Sequence, residues 1–306
     1  MGNGWITKRL TYKDVRKMNV GFIGLGNMGM PMALNLVKAK FDVKGLNRSK
    51  EKEETFSKNG GKAGYSIQRL LEESDVIMTC LPKPEDVNSV YLGDKGLFKN
   101  SRAKQIFIDF STVSPDLTTI LDREAQKNQV SYLDAPVSGG TVGAENGTLS
   151  IMVGGDKKVY DEVTPILTVL GSQLFHTGKV GSGTTIKLIN QYLVGVHTQV
   201  VSEALVISEK MGIDHDQLFS ILSNSFAQSK IYDRHFQEFI SKNRYSPGFS
   251  LELLTKDISL VNKMMEDNDC KLPLKDLIVS LYLDANQSPY AHNDMSAMYL
   301  YNQSKQ

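Results

Sequence analysis

The chain has 306 residues, 41% of them hydrophobic, and a formal net charge of +1. That length suggests two domains of about 150 residues, each apolar enough for its own core. Near-neutral charge, with no dense Lys/Arg cluster after residue 17, argues against nucleic-acid binding; no apolar run approaches the roughly 18 residues of a membrane span. Cys80 and Cys270 make no disulfide framework and have no metal-site spacing. No metal is expected, and the chain reads as cytoplasmic. Residues 1–17 are basic and irregular and lack the apolar region of a secretory signal. They read as a tail, an added extension or a mis-assigned start before Met18, and stand outside the fold argument.

Val20 to Ile23 is a short apolar run, as in a strand buried on both faces of a parallel sheet. Gly24-Leu25-Gly26-Asn27-Met28-Gly29 follows with G-x-G-x-x-G spacing, and Met32, Ala33, Leu36 and Val37 then repeat as one face of a helix. Gly24 permits the tight turn, Gly26 lets a pyrophosphate approach the backbone, and Gly29 lets helix and strand pack closely. Pro31 falls in the first turn, where its missing N–H costs nothing. The first helical N–H groups then face the phosphates. Set between a strand and a helix, the motif indicates dinucleotide binding rather than an ordinary glycine-rich turn.

Phe41 to Leu46 reads as a second strand, ending at Asn47-Arg48-Ser49. An NAD site places an acidic residue about 20 positions past the glycines. Asn47 and Arg48 stand there instead, and a guanidinium can hold a 2′-phosphate that a carboxylate would repel. NADP(H) is therefore the preferred cofactor and NAD(H) the second choice; the plainer reading is a solvated arginine at a strand end. Helices are expected over 50–59 and after Ser66, and a strand from Asp75 to Leu81 is cut off by Pro82. A strand from Gln105 to Phe110 leads into Ser111-Thr112-Val113. Ser114 then caps a helix with Pro115 at its first position, running to Lys127, and a strand follows from Val130 to Ala135. Asp134 to Thr148 reads as one long Gly-rich loop, before a strand at 149–153, a helix at 157–170 and a last strand near 172–177. Alternation of this kind makes residues 18–181 a Rossmann-type, doubly wound α/β domain.

Thr184 to Met211 carries helical periodicity with no breaker but Gly195, and at 1.5 Å per residue is about 40 Å long. Further helical stretches at 214–226, 229–240, 250–267, 272–286 and 291–302, with no convincing strand, make 182–306 an all-helical C-terminal domain. The long inter-domain helix is its spine.

Four stretches, in this order, resemble the β-hydroxyacid dehydrogenase family, the group of 3-hydroxyisobutyrate dehydrogenase and tartronate semialdehyde reductase. They are Gly24 to Gly29 with the following Met32-Ala33-Leu34-Asn35-Leu36; Asp134-Ala135-Pro136-Val137-Ser138-Gly139-Gly140; Gly181-Ser182-Gly183-Thr184-Thr185-Ile186-Lys187-Leu188-Ile189-Asn190; and Phe249 with Lys256-Asp257. The resemblance spans Met18 to Ser304. It implies an NAD(P)-dependent oxidoreductase interconverting a short 3-hydroxy acid and its semialdehyde, with tartronate, glyoxylate or succinic semialdehyde as alternative substrates. It implies that Ser138, Gly139 and Gly140 bind the substrate carboxylate and that Lys187 is the catalytic lysine. Asn190 or Gln191, one turn beyond on the same face, is the orienting amide. Lys256 closes over the cofactor with Asp257 beside it, and Leu81, Pro82 and Thr112 contact the cofactor. A homodimer or homotetramer through a helical domain like that of 6-phosphogluconate dehydrogenase is implied too. One departure is Lys38-Ala39-Lys40, where the family usually has glycine after alanine. Lys40 must avoid or tolerate a left-handed conformation, at roughly 1 kcal/mol.

The chemistry agrees with this assignment. A carbonyl reduced by hydride develops negative charge on oxygen and needs a proton or a cation there. His176, His197, His215, His235 and His292 are scattered without shared spacing and read as surface or structural residues. Lys187 stands near the start of the spine helix, at the domain junction, and ligands favour such junctions. Position alone would make it a solvated lysine; the motif around it makes it catalytic. Ser138-Gly139-Gly140 offers a hydroxyl and unobstructed backbone N–H groups to an anion, although a tight turn is the plainer reading. An imine reductase of this architecture lacks the lysine. A non-catalytic nucleotide-binding homologue should have lost Lys187 or the Ser-Gly-Gly loop, and both are present.

Overall fold

The computed structural model describes residues 18–306, so the tail assigned to residues 1–17 lies outside the described residues. In chain order the elements are β1 (Asn19–Ile23), α1 (Gly29–Lys38), β2 (Asp42–Leu46), α2 (Lys50–Lys58), α3 (Ile67–Glu72), β3 (Val76–Thr79), α4 (Pro84–Leu92), β4 (Ile106–Asp109), α5 (Pro115–Lys127) and β5 (Ser131–Asp134). Then come β6 (Val137–Ser138), α6 (Gly140–Asn146), β7 (Ser150–Gly154), α7 (Lys157–Leu170), β8 (Gln173–Gly178) and the long α8 (Ser182–Lys210). After it follow α9 (His215–Leu222), α10 (Lys230–Arg234) continuing as a π-helical turn over His235–Ile240, α11 (Leu251–Asp267), α12 (Lys275–Asn286) and α13 (Met298–Ser304). The described residues form two compact units, the first ending at Lys187 and the second running over Leu188–Gln306, the division falling inside α8.

The strand order in the first unit is β2-β1-β3-β4-β5-β7-β6, with β8 on β7. The pairs from β2 to β5 are parallel; β7 runs antiparallel to β5 and β6. β1 lies between β2 and β3, so the chain reverses its winding there. The crevice beyond the carboxyl end of β1 is where such sheets take ligands. Strand alternation feeds two cores, one on each face of the sheet. Val76, Met78, Ile106 and Ile108 join Phe22, Met32 and Leu36 on one side. Ile77 and Phe107 join Leu70, Tyr91, Leu121 and Tyr132 on the other. That two-sided burial is why these strands read as unbroken apolar runs.

Ser66 and Ser114 cap their helices as expected, accepting from Arg69 N and Leu117 N at 3.2 Å each. The stretch from Asp134 to Thr148 departs from expectation. It is not one open loop but contains β6 and α6, the latter ended by Gly147 in the left-handed conformation, φ +65°. Asn35 of α1 donates to Ala144 O at 2.7 Å and Glu145 O at 3.2 Å, supplying partners for carbonyls at the end of α6. Lys40 adopts φ +70°, so the chain tolerates a left-handed lysine where the resemblance expects glycine.

In the second unit, the α8 backbone is approached closely at Gly195. A Cβ there would lie 2.7 Å from Ile258 Cδ1, and the Tyr282 hydroxyl donates to Gly195 O at 2.9 Å. The glycine thus costs helix propensity but admits α11 and α12 to a shared core of Leu254, Ile258, Ile278 and Tyr282. The expected helices are present with shorter ends: α9 stops at Leu222, and the last begins at Met298 after a 3₁₀ turn, Met295–Ala297.

Candidate active site

The Gly24–Gly29 turn is shaped by three different steric demands. Gly24 has φ +98°, and a Cβ would sit 2.3 Å from Cys80 O. A Cβ on Gly29 would fall 1.9 Å from Gly24 O, so turn and helix could not meet. A Cβ on Gly26 would meet nothing within 4 Å. The backbone at Gly26 is therefore bare on a side where no protein atom needs the room, which is the opening a pyrophosphate requires. α1 follows directly, and its N-cap Met28 makes no side-chain cap, leaving first-turn N–H groups for an anion. These residues fit the diphosphate of a dinucleotide.

Asn47, at the end of β2, holds this turn. Its Oδ1 accepts from Leu25 N at 3.0 Å, while its own N–H donates to the buried Glu53 at 2.9 Å. Arg48 projects into solvent, its side chain 84% exposed, with Nη1 3.1 Å from Asp86 Oδ1 at the start of α4. The Leu81-Pro82 and Ser111-Thr112 loops are tied together: Leu81 N donates to Ser111 Oγ at 2.9 Å. Beneath them the buried Asp109 carboxylate accepts from Ser111 N at 3.0 Å and from Thr79 Oγ1 at 2.7 Å. Burial pushes the Asp109 carboxyl up to about 6, against the pull of its donors.

Ser138 ends β6, pairing with Ser150 of β7, and is half-buried. Gly139 and Gly140 have φ +134° and +61° and are exposed; a Cβ on Gly140 would meet nothing within 4 Å. Lys187 is 8% exposed, in the second turn of α8. The first turn of that helix is held by Asp134, the first residue of the Ser138 loop motif. Asp134 Oδ1 accepts from Gly181 N and Oδ2 from Thr184 N, both at 2.7 Å, with the carboxylate buried.

In the second unit, Gln191 is 3% exposed and donates to Asp257 Oδ2 at 2.6 Å, while Asn190 donates to Gln191 Oε1 at 3.0 Å. Lys256 Nζ stands 2.8 Å from Asp257 Oδ1. Of the two amides, Gln191 is the one fixed from both ends. The histidines are dispersed. His235 is buried against Thr198, its pKa pushed down to about 3 by burial, and is neutral; His292 is exposed. Among the described residues, no cluster of His, Cys, Asp and Glu could hold a metal, and no helix is long and apolar enough to cross a membrane.

Three positions went unassigned in the sequence. Asn35 and Asp134 lie inside the family-like motifs, so their presence there was the available signal. Asp109 ends the apolar run Ile106-Phe107-Ile108, and a carboxylate closing a buried strand was signal enough to ask what it holds.

Residues 19–178 match the family model described as the NAD binding domain of 6-phosphogluconate dehydrogenase. Residues 181–301 match that described as the NAD-binding part of NADP-dependent 3-hydroxyisobutyrate dehydrogenase. The chain is 32% identical over 283 residues to a 2-(hydroxymethyl)glutarate dehydrogenase of Eubacterium barkeri, covering 92% of this chain and 94% of that protein. It is 38% identical over 243 residues to a 2-hydroxy-3-oxopropionate reductase of Escherichia coli, covering 79% and 82%. A solved Mycobacterium tuberculosis 3-hydroxyisobutyrate dehydrogenase with L-serine superposes with a TM-score of 0.85 at 29% identity, covering 94% of this chain and 99% of that one.

Two measurements follow from this geometry. Gly26→Ala should keep the wild-type melting temperature yet weaken NADPH binding by about tenfold or more, read by fluorescence titration. Gly29→Ala should instead lose about 1–3 kcal/mol of stability to overpacking; equal behaviour of the two variants would contradict the division of roles. The Asp109 carboxyl gives a pH signature. Its folded pKa lies above the ordinary 3.8, so between about 4 and 6 the folded state keeps a proton that the unfolded state has lost. Its contribution is largest at low pH and is lost as pH rises through about 6. The unfolding free energy of wild type relative to Asp109→Asn should therefore be more favourable at pH 4.5 than at pH 7, and a flat difference would remove the assignment.

Proposed function

The chain belongs to the β-hydroxyacid dehydrogenase family, NAD(P)-dependent oxidoreductases acting on a CH–OH group, and on that premise we propose that it interconverts a short 3-hydroxy acid and its semialdehyde, preferring NADP(H). The observation that carries this reading is a buried lysine, Lys187, on a helix whose first turn is bonded to the strand leading into Ser138-Gly139-Gly140. The relatives' substrates by name, 2-(hydroxymethyl)glutarate and 2-hydroxy-3-oxopropionate, and the L-serine of the solved structure, share a carboxylate with an oxygen-bearing carbon two bonds away. Ser138 Oγ and the Gly139 and Gly140 N–H groups hold that carboxylate. A dinucleotide whose diphosphate is held at the Gly24–Gly29 turn would supply or accept, through its nicotinamide, the hydride at the oxygen-bearing carbon. Lys187 Nζ gives the proton to the carbonyl oxygen in reduction and takes it from the hydroxyl in oxidation. Gln191, one turn on, orients the ammonium or the hydroxyl; Leu81, Pro82 and Thr112 are cofactor contacts, and Lys256 is assigned to the cofactor as well.

Support for NADP(H) comes from Arg48, which stands where an NAD site carries an acidic residue; the nearby carboxylates of Glu53 and Asp86 are engaged by Asn47 N and by Arg48 itself. Arg48 is exposed and Asp86 half-buried, and a pair open to solvent on one side is worth about 0–1 kcal/mol, so exchanging it for a dianion is cheap. An exposed apolar stripe on α8, Ile189, Leu193, Val200 and Ile207, supports a homo-oligomer through the helical unit.

A panel of 3-hydroxy acids and semialdehydes, assayed with NADP/NADPH and NAD/NADH by absorbance of the reduced cofactor, tests the substrate class; no turnover with any member would refute it. In Arg48→Ala, KM for NADPH should rise far more than KM for NADH, and an unchanged ratio would return the cofactor preference to open choice. Lys187→Ala should lower kcat by about 10²–10⁴-fold with NADPH binding intact. Near-normal turnover in that variant would place the proton on another group.

A further inference from the structure

Asp134 opens the loop motif that carries Ser138, yet binding a substrate carboxylate gives this acid no task. A carboxylate would repel that anion, and the side chain is 1% exposed. Its two oxygens are instead divided between Gly181 N and Thr184 N, each at 2.7 Å, on either side of the α8 start at Ser182. Thr184 lies one helical turn before Lys187. Backbone packs closely against the carboxylate. A Cβ on Gly154 would fall 2.4 Å from Asp134 Oδ1, and one on Gly183 would fall 2.2 Å from Met152 O and 3.1 Å from Asp134 O. The end of β5, the end of β7 and the first turn of α8 are thus closed on one another without intervening side chains.

We propose that Asp134 is a positioning residue for catalysis: it fixes the register between the Ser138–Gly140 loop, which continues its own strand, and the α8 turn that presents Lys187. The inference rests on the reading of Lys187 as the proton carrier. The loop stays attached to β5 when the carboxylate is lost, whereas the first turn of α8 loses both bonds to Asp134 and keeps the Thr177–Ser182 hydroxyl contact to β8, at 2.7 Å. The defect therefore belongs to the chemical step rather than to capture of substrate or cofactor. Displacement of a reacting group by about 1 Å can cost about 10²-fold in rate.

Asp134→Asn keeps the shape but turns an N–H group toward one of the two donors. With the full-length enzyme and 3-hydroxyisobutyrate or L-serine as the probe acid, whichever turns over, kcat should fall about 10²-fold. KM for the acid and the NADPH dissociation constant should stay within about threefold, because the groups assigned to the substrate carboxylate and the cofactor diphosphate lie on the Ser138–Gly140 loop and the Gly24–Gly29 turn rather than on α8. In a Lys187→Ala background the same substitution should lower kcat by less than about threefold more, because the two act through one group. Should Asn prevent folding, Asp134→Ser retains one acceptor and should show the same split, counted per NADPH-binding site. A lowered melting temperature with normal kcat per site would make the role structural and overturn the proposal, as would a full second loss in the Lys187→Ala background. Normal turnover of Lys187→Ala alone would instead overturn the reading beneath it.

Discussion

Two buried carboxylates stand side by side where the parallel strands end. Asp109 and Asp134 are register partners at the carboxyl ends of β4 and β5. At this edge the strands give way to loops, and their N–H groups lose sheet partners. A buried carboxylate is costly: burial pushes both carboxyls up, and the charge of Asp134 adds to the effect on Asp109. What offsets the cost is a set of oriented donors: Ser111 N and Thr79 Oγ1 for one, Gly181 N and Thr184 N for the other. Asp109 gathers the two loops assigned to the cofactor. Asp134 gathers the helix assigned to the proton. Charges that are poor stabilisers in themselves are useful here because the loops they bind have few other ways to be held in one place.

What could be read from the sequence was what is local. The Gly24–Gly29 spacing encodes its structure within six residues: Gly24 makes the tight turn and Gly29 the close packing that their positions suggested, and the backbone at Gly26 is open. The two-sided burial of the strands was legible because a strand with one wet face would alternate apolar and polar residues, and these do not. α4 was missed despite a usable signal: Pro84 at the first helical position with Glu85 and Asp86 behind it. The helix inside the Gly-rich stretch could not be read in the same way. Its composition disfavours a helix, and part of what holds it comes from Asn35, 109 residues away from Ala144 in sequence.

The contacts that organise the candidate site are long-range for a physical reason. A polar group buried deeply enough to be rigid must find a partner at once, and in a wound α/β fold the nearest partner is seldom a sequence neighbour. Asp134 reaches 47 residues to Gly181, Thr79 reaches 30 to Asp109, and Gln191 reaches 66 to Asp257. Motif spacing names such residues without saying what each one holds.

The second unit repeats the device with a different outcome. Asp257, 2% exposed, divides its oxygens between Gln191 Nε2 at 2.6 Å and Lys256 Nζ at 2.8 Å. The family resemblance expects asparagine three or four positions beyond Lys187, and this chain has Asn190 and Gln191 there. The extra methylene of Gln191 is what brings its amide to Asp257, since an asparagine at the same Cα would fall about 1.5 Å short, beyond hydrogen-bond length. Asn190 then closes the other end by donating to Gln191 Oε1. With oxygen and nitrogen both engaged, the amide cannot flip without breaking two bonds, and the proton that Nε2 has left points in a fixed direction. An amide meant to orient a hydroxyl needs that fixity more than it needs a particular length, so a glutamine with an anchoring carboxylate can stand where a shorter amide would have served.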